Sequence, residues 1–191
     1  RLMNSTPQTE EQAMVRKVAV SSFLGNFIEW FDYASYSYFA TTIALVFFPT
    51  DNHTVAMLQT FGVFALSFIL RPIGALFWGS YGDKKGRKAA LAHSIMFMSG
   101  ASFLIGCLPS YSVIGVGAPI LLLLLRMVQG FSASGEYAGA ATFLGEYAPT
   151  SKRGIYCSLI PASTAIGLLA GSTLATLMTA NMNSSAMVGW G

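Results

Sequence analysis

The chain has 191 residues, of which 53% are hydrophobic and only 10% charged, and its formal net charge is +3. This composition excludes an ordinary soluble domain and indicates a membrane protein. The basic residues lie between hydrophobic runs and form no continuous patch, so no nucleic-acid partner is predicted. The cysteines fall in separate apolar segments and the histidines stand apart from other ligand residues, so we predict neither a disulfide nor a metal site.

Five apolar runs are long enough to cross a hydrocarbon core of about 30 Å as helices. They cover approximately residues 18–47, 55–79, 89–108, 113–146 and 154–180. We therefore predict an all-α, polytopic membrane protein, with a polar segment at 1–17 and one transmembrane unit at 18–191. The first run is too long for the apolar region of a cleavable signal peptide, so it is expected to remain as an anchor.

The basic residues predict the orientation of the spans, because loops on the cytoplasmic side carry an excess of Lys and Arg. Basic residues precede the first span and fill the second and fourth connections, whereas the alternate connections have none. The N-terminus is therefore predicted to be cytoplasmic, and the loops near His53 and Tyr111 to lie outside. The turns between spans are predicted at residues 49–53, 79–88, 109–112 and 148–153.

Ionisable residues stand inside the apolar runs, where an uncompensated charge costs roughly 2.5–3.5 kcal/mol at the bilayer centre. They are Glu29, Asp32, Arg71, Arg126 and Glu136. Such side chains must pair, bind protons or line a cavity. A helical rise places Arg126 near the midplane, with Glu29 and Asp32 at similar depth. A carboxylate beside an arginine can exchange protons when their contact breaks; a static pair that fixes helix packing is the alternative interpretation.

One face of the first span is polar and aromatic. Glu29, Asp32, Tyr33 and Tyr36 follow one another at i, i+3, i+4 and i+7, so they share a helix face that cannot contact lipid. Trp30, Tyr33 and Tyr36 are candidates for an aromatic cage around a cationic group. Ordinary helix packing is the alternative for these rings.

The stretch from Gly79 to Lys88 is the most specific pattern in the chain. It has Gly79, Asp83, Lys84, Gly86, Arg87 and Lys88 in the order G-x-x-x-D-K-x-G-R-K. A positive-inside loop explains the basic residues but not the spacing of the glycines and the aspartate. The stretch resembles the loop between the second and third helices of the major facilitator superfamily. The resemblance implies that these residues form a cytoplasmic gate.

Longer strings resemble the metabolite:proton symporter family within that superfamily. They include Gly25-Asn26-Phe-Ile-Glu29-Trp30-Phe31-Asp32, Leu70-Arg71-Pro72-Ile-Gly74, Arg126-Met-Val-Gln129-Gly130 and Gly135-Glu136-Tyr137. The resemblance implies the N-terminal half of a longer bacterial inner-membrane protein, with five of six helices present and the C-terminal half missing. It also implies rocking of two halves, no cofactor, and as partners the lipid bilayer, protons and a small-molecule substrate.

The chemistry of the buried polar residues predicts candidate roles for them, and for Arg126 the resemblance also implies substrate or proton handling. Glu29 and Asp32 are expected to bind protons or a substrate amine, with Arg126 as their charge partner beside Gln129. Arg71 is expected to anchor a substrate carboxylate, or else to pair with Glu136, since guanidinium binds carboxylate in a bidentate manner. Glu136 is expected to be structural or part of a proton relay.

Substrate and function class remain open between alternatives. Two midplane acids favour a zwitterionic osmolyte of the proline or glycine betaine type, and two arginines favour a di- or tricarboxylate such as 2-oxoglutarate or citrate. A truncated, non-transporting membrane protein is the alternative of another class. The sequence lacks the phosphate-binding pattern G-x-x-x-x-G-K-[ST] and the nucleophile pattern G-x-S-x-G, so no catalysis is predicted.

Overall fold

The computed structural model describes residues 6–190, and this part of the chain is helical throughout apart from short connections. Its helices are α1 (Thr6–Tyr38), α2 (Ala40–Phe47), α3 (His53–Lys85), α4 (Arg87–Gly106), α5 (Tyr111–Ile114), α6 (Gly117–Tyr147), α7 (Arg153–Asn181) and α8 (Ser184–Trp190). The prediction of an all-α architecture is confirmed over these residues.

Four of the described helices, α3, α4, α6 and α7, are long and apolar enough to cross a membrane. The chain is therefore a multi-pass membrane protein. α1 is not among them, because polar residues that include Asn26, Glu29 and Asp32 interrupt its apolar sequence. The predicted first span at 18–47 corresponds to two helices, α1 and α2, which meet at Phe39.

The turn predicted at residues 79–88 is much shorter in the structure. α3 continues to Lys85 and α4 begins at Arg87, so Gly86 alone separates them. Helical geometry tolerates Gly79 and Gly82, whereas Gly86 has a φ of 95°, a left-handed conformation that favours glycine. The chain reverses direction at that single residue, and Gly82 packs close to Ala90.

The turn predicted at residues 109–112 is part of a longer connection in the structure, which covers residues 107–116 and includes a short helix. The short helix α5 occupies the start of the predicted fourth span, and α6 begins only at Gly117. Gly115 lies between them with a φ of 61°, which again favours glycine. The fourth span therefore begins at residue 117, four residues after the predicted start at 113.

Helix packing places α6 against α1, α3, α4 and α7. α1 packs most extensively along α7, where small residues allow the backbones to approach. A Cβ added at Gly167 would lie 2.6 Å from the Phe27 carbonyl oxygen, and one at Gly171 would lie 2.6 Å from Ala34 Cβ. The α1–α7 contact thus depends on glycine at these two positions.

Glycines also bring α3 and α6 together. Gly130 faces the carbonyl group of Ser67, and Gly74 faces the carbonyl group of Phe131, with no room for a side chain at either glycine. Trp78 Nε1 donates a hydrogen bond of 3.1 Å to the Phe131 carbonyl oxygen. These contacts fix the depth of α3 relative to α6, and therefore the depth of Arg71.

One end of the helix bundle is closed by an apolar cluster that α1, α4, α6 and α7 form together. We call it the N-terminal apolar cluster; its buried members are Val15, Val18, Ala19, Leu91, Ala140, Phe143, Leu144, Ala148 and Ile160. The buried side chains of this cluster make the bundle interior apolar at the end where α1 begins. The polar residues of α1 lie beyond it, toward the middle of the bundle.

Candidate functional site

Two ion pairs connect α1 to α3 and α6 in the interior. Arg71 Nη2 donates hydrogen bonds to Glu29 Oε1 and to the Tyr33 hydroxyl oxygen, and Arg126 Nη1 donates to Asp32 Oδ2. The side chains of Glu29 and Arg126 are only 4% and 3% exposed. Pairing offsets the cost of removing these charges from water. We call Glu29, Asp32, Arg71 and Arg126 the charged layer.

A hydrogen-bond chain ties the charged layer to α4. Arg126 Nη1 also donates to Gln129 Oε1 at 3.2 Å, and Gln129 Nε2 donates to Ser102 Oγ at 2.7 Å. The guanidinium group of Arg126 is thereby held on two sides. Ser102 was not predicted from the sequence, because α4 has other serines, Ser94 and Ser99, and nothing local distinguishes Ser102 from them.

Aromatic rings cover the guanidinium group of Arg71. Its Cζ lies 5.1 Å from the ring centroid of Tyr33 and 4.6 Å from that of Phe68. Phe64 packs edge-on against both rings, at centroid distances of 5.5 Å and 5.1 Å. The faces of these rings are therefore occupied by a cation of the protein itself. Phe64 and Phe68 were missed in the sequence because aromatic residues abound in the second span.

The ring of Tyr36 covers the guanidinium group of Arg126. The Cζ of Arg126 lies 4.0 Å from the Tyr36 ring centroid, and the Tyr36 hydroxyl donates a hydrogen bond of 2.8 Å to the Thr60 carbonyl oxygen. Trp30 contacts Tyr33 edge-on at 5.7 Å. Trp30, Tyr33 and Tyr36 line three different cavities. The aromatic cage around a cationic group therefore stays a prediction.

Cavities lie on both sides of the charged layer. The larger has a volume of about 1060 Å³ and is lined by Asp32, Tyr36 and Arg126. The smaller has about 460 Å³ and is lined by Glu29 and Arg71. A gap of about 10 Å³ between them is lined by both Glu29 and Asp32. The two ion pairs thus separate two cavities, and each cavity reaches one carboxylate of the layer.

Glu136 is buried without a partner. Its side chain is 1% exposed, and neither carboxyl oxygen has a hydrogen-bond partner among the described residues. Its Oε1 lies against Gly25, where a Cβ atom would overlap it. Arg71 contacts Glu29 instead, so the pair between Arg71 and Glu136 that the sequence left open is not formed here.

The residues of the predicted gate lie at the turn between α3 and α4. Their positions are exposed, as the burial pattern shows for Gly79, Asp83, Lys84, Gly86, Arg87 and Lys88. Arg87 Nη1 lies 3.8 Å from Glu146 Oε1 at the end of α6, and both side chains are about half exposed. An exposed pair at this distance is weak. It nevertheless connects the α3–α4 turn to the end of α6.

Comparison with known proteins gives one family and a consistent set of relatives. The family model "Sugar (and other) transporter" matches residues 17–191. The proline/betaine transporter of Salmonella typhimurium is 40% identical over 181 residues, which are 95% of this chain and 36% of that protein. The glycine betaine/proline/ectoine/pipecolic acid transporter of Dickeya dadantii gives the same values.

A relative from a third bacterium has a similar identity to this chain. The putative proline/betaine transporter of Staphylococcus aureus is 41% identical over 177 residues, which are 92% of this chain and 38% of that protein. The chain therefore spans little more than a third of the length of the curated relatives it matches. No solved structure gives a significant match.

Proposed function

The chain belongs to the sugar (and other) transporter family, and we propose that it is the N-terminal part of a proton symporter that imports a zwitterionic osmolyte of the proline or glycine betaine type. The resemblance to the major facilitator superfamily is confirmed by this family match and by the relatives. Three of those relatives carry proline and betaine in their names.

The observation that carries the substrate proposal is the ion pair in the larger cavity. Asp32 and Arg126 place one negative and one positive group side by side in its lining. A zwitterion offers a carboxylate to Arg126 and an ammonium group to Asp32. Among the described residues, Asp32 and Arg126 are the ionised side chains of this lining, so one substrate carboxylate matches the one guanidinium group.

A di- or tricarboxylate is the second candidate, because the charged layer contains two guanidinium groups. Arg71 and Arg126 could each receive a carboxylate if both left their partners. In this structure each is neutralised by an acidic residue of α1. A second substrate carboxylate would have to displace a second protein carboxylate, which disfavours this candidate.

The same pairs provide the proton coupling in this proposal. When the substrate carboxylate takes a guanidinium group from Asp32 or Glu29, the released carboxylate loses its counter-ion in a poorly hydrated interior. It then gains a proton, because an unpaired charge there is costly. Proton binding and substrate binding thereby favour each other.

Transport by this mechanism needs the rest of the protein. The missing C-terminal half would close the open side of both cavities, and the two halves would rock about the charged layer within the lipid bilayer. With a cytoplasmic N-terminus in a bacterial inner membrane, the larger cavity opens outward. The turn with Asp83, Gly86 and Arg87 would then gate the cytoplasmic side. The proposed protein is a transporter and not an enzyme.

Uptake into liposomes by the purified full-length protein tests this function. An imposed gradient, alkaline inside, should drive accumulation of labelled proline and glycine betaine, and a protonophore should abolish it. Asp32→Asn should lose accumulation, while Asp51→Asn, the same change in an exposed loop, should keep it. Uptake of citrate or 2-oxoglutarate without uptake of zwitterions would contradict the substrate, and indifference to the protonophore would contradict the coupling.

A further inference from the structure

The interior of the helix bundle has one acidic residue more than its arginines can neutralise. Arg71 is paired with Glu29 and Arg126 with Asp32, and Glu136 has no hydrogen-bond partner within the described part of the chain. An ionised carboxylate without a counter-ion or a hydrogen bond is very costly in an apolar interior. One bound proton restores neutrality. We propose that Glu136 holds this proton and is a second proton-binding site of the transporter, separate from Asp32; the inference rests on the proposed proton coupling.

The space around Glu136 fits a carboxyl group held in place. Its Oε1 lies where Gly25 leaves room, so any residue larger than glycine at position 25 would displace it. Glu29 follows Gly25 by one helical turn and therefore lies on the same side of α1. Both carboxyl side chains are buried, since Glu29 is 4% exposed and Glu136 is 1% exposed. Glu29 is thus placed to exchange a proton with Glu136.

Other titratable side chains on the helices around Glu136 are engaged elsewhere. Arg71 of α3 is bound to Glu29. His93 of α4 is exposed and contacts the ring of Tyr81 of α3 edge-on. Tyr156 and Cys157 of α7 pack against the N-terminal apolar cluster, which also closes the bundle on that side. Among the described residues, Glu29 is the acidic side chain that lines the smaller cavity and lies one helical turn from Gly25, the residue that Glu136 contacts.

A proton path through the charged layer follows from these positions. The larger cavity reaches Asp32, and the gap of about 10 Å³ joins Asp32 to Glu29. A gap of that size is about the minimum that holds one water molecule. Glu29 in turn lines the smaller cavity, and it follows Gly25, which Glu136 contacts, by one helical turn. In this path a proton on Glu29 can pass either to the smaller cavity or to Glu136, which has no other exit for the proton in the described part of the chain.

The proposed step moves one proton and no other atom. When Arg71 leaves Glu29, the O–H bond of Glu136 breaks, and an O–H bond forms on Glu29. The negative charge passes from Glu29 to Glu136. Glu29 releases its proton to the smaller cavity, and Glu136 regains one through Glu29 from the side of Asp32. Glu136 therefore stores the proton while Arg71 occupies Glu29.

The experiment uses the full-length protein in liposomes, with Glu136→Gln as the variant and Glu10→Gln as the matched control. Glutamine keeps the shape of the neutral side chain but cannot release a proton, and Glu10 is exposed. Glycine betaine counterflow, which needs no net proton movement, should stay at the wild-type level in both variants. Proton-driven accumulation should fall by roughly tenfold or more in Glu136→Gln alone, as coupling energies of 1–3 kcal/mol imply.

An infrared measurement provides a readout independent of transport. The carbonyl stretch of a protonated carboxylic acid should be present in the wild type and in Glu10→Gln, and absent in Glu136→Gln. If Glu136→Gln is not recovered folded, Glu136→Met, which fills the space with an apolar chain, takes its place in both measurements.

Three outcomes would overturn the inference. Glu136→Gln could retain wild-type accumulation, it could retain the infrared band, or both replacements could lose counterflow together with accumulation, which indicates a structural role. Failure of the proposed function is a different result. It appears as a wild-type protein that shows no proton-driven accumulation, and in that case the infrared band still decides whether Glu136 holds a proton.

Discussion

The two arginines of the charged layer, Arg71 and Arg126, each pair with one acidic residue of α1. Arg126 is almost fully buried, whereas Asp32 retains a quarter of its exposure because it lines the larger cavity. Loss of one partner therefore has unequal consequences. An unpaired Arg126 keeps its charge in the interior, whereas an unpaired Asp32 can be hydrated from the cavity.

A double-mutant cycle on this pair tests that arrangement. Asp32→Ala should lower stability by roughly 3–5 kcal/mol, because it leaves a buried guanidinium group unpaired. Arg126→Ala should cost less, and the double variant should cost less than the sum of the two. Thermal unfolding of the full-length protein in detergent measures these effects.

The exposed pair Arg87–Glu146 is the control for that cycle. Its side chains are 46% and 53% exposed, so its coupling should be below about 1 kcal/mol. Additive effects at Asp32 and Arg126 would contradict the structural pairing. A coupling at Arg87 and Glu146 as large as the one at the buried pair would contradict the dependence on burial.

At the scale of helices, glycines determine how closely the spans approach. Gly167 and Gly171 place α7 on α1, and Gly74 and Gly130 place α3 on α6. The lipid offers no hydrophobic driving force between helices, so close backbone contact is a main source of association. The position of Arg71 opposite Glu29 depends on this packing as much as on the charges.

Replacement of Gly130 tests the packing of α3 on α6. In Gly130→Ala the new methyl group would overlap the Ser67 backbone carbonyl, which cannot move aside as a flexible side chain would. We expect a loss of about 1–3 kcal/mol, the usual cost of overpacking. Gly139→Ala is the matched control on the same helix, because nothing lies within 4 Å of its added Cβ.

The control should be neutral or stabilising by up to ~1 kcal/mol, since alanine favours helix. Thermal unfolding in detergent compares both variants with the wild type. Equal midpoints for Gly130→Ala and Gly139→Ala would show that the close approach of α3 and α6 is absent in solution.

At the scale of the whole molecule, the orientation in the membrane assigns each cavity to a side. α4 begins at the basic turn around Gly86 and ends at Gly106, directly before the exposed Cys107. α7 begins at Arg153, close to Cys157. The two cysteines therefore lie at opposite ends of the bundle, and the proposed orientation places Cys107 outside.

Labelling of the native cysteines tests this orientation. A membrane-impermeant maleimide applied to intact cells that express the full-length protein should modify Cys107 and leave Cys157 unmodified. Peptide mass spectrometry locates the label, and Cys107→Ser is the control variant that should not be labelled at this position. Modification of Cys107 only after the cells are permeabilised would reverse the orientation and assign the larger cavity to the cytoplasmic side.

The sequence alone determined the membrane class, the helical architecture and the family. These follow from local properties: apolar runs of sufficient length and a loop pattern that is contiguous in the chain. Local reasoning was less accurate at the connections. It placed a ten-residue turn at 79–88, where a single glycine suffices, because helix-compatible glycines and turn glycines look alike before φ is known.

Tertiary structure was needed to assign partners to the buried residues. Glu29 and Asp32 are equivalent in the sequence, and either could pair with Arg71 or Arg126. The glycine contacts between α3 and α6 set the depth and rotation of these helices, and this packing pairs each acid with one arginine. The same packing leaves Glu136 alone and divides the aromatic rings among three cavities. Periodicity gives the face of a residue on its own helix, whereas pairing depends on neighbours that are distant in the chain.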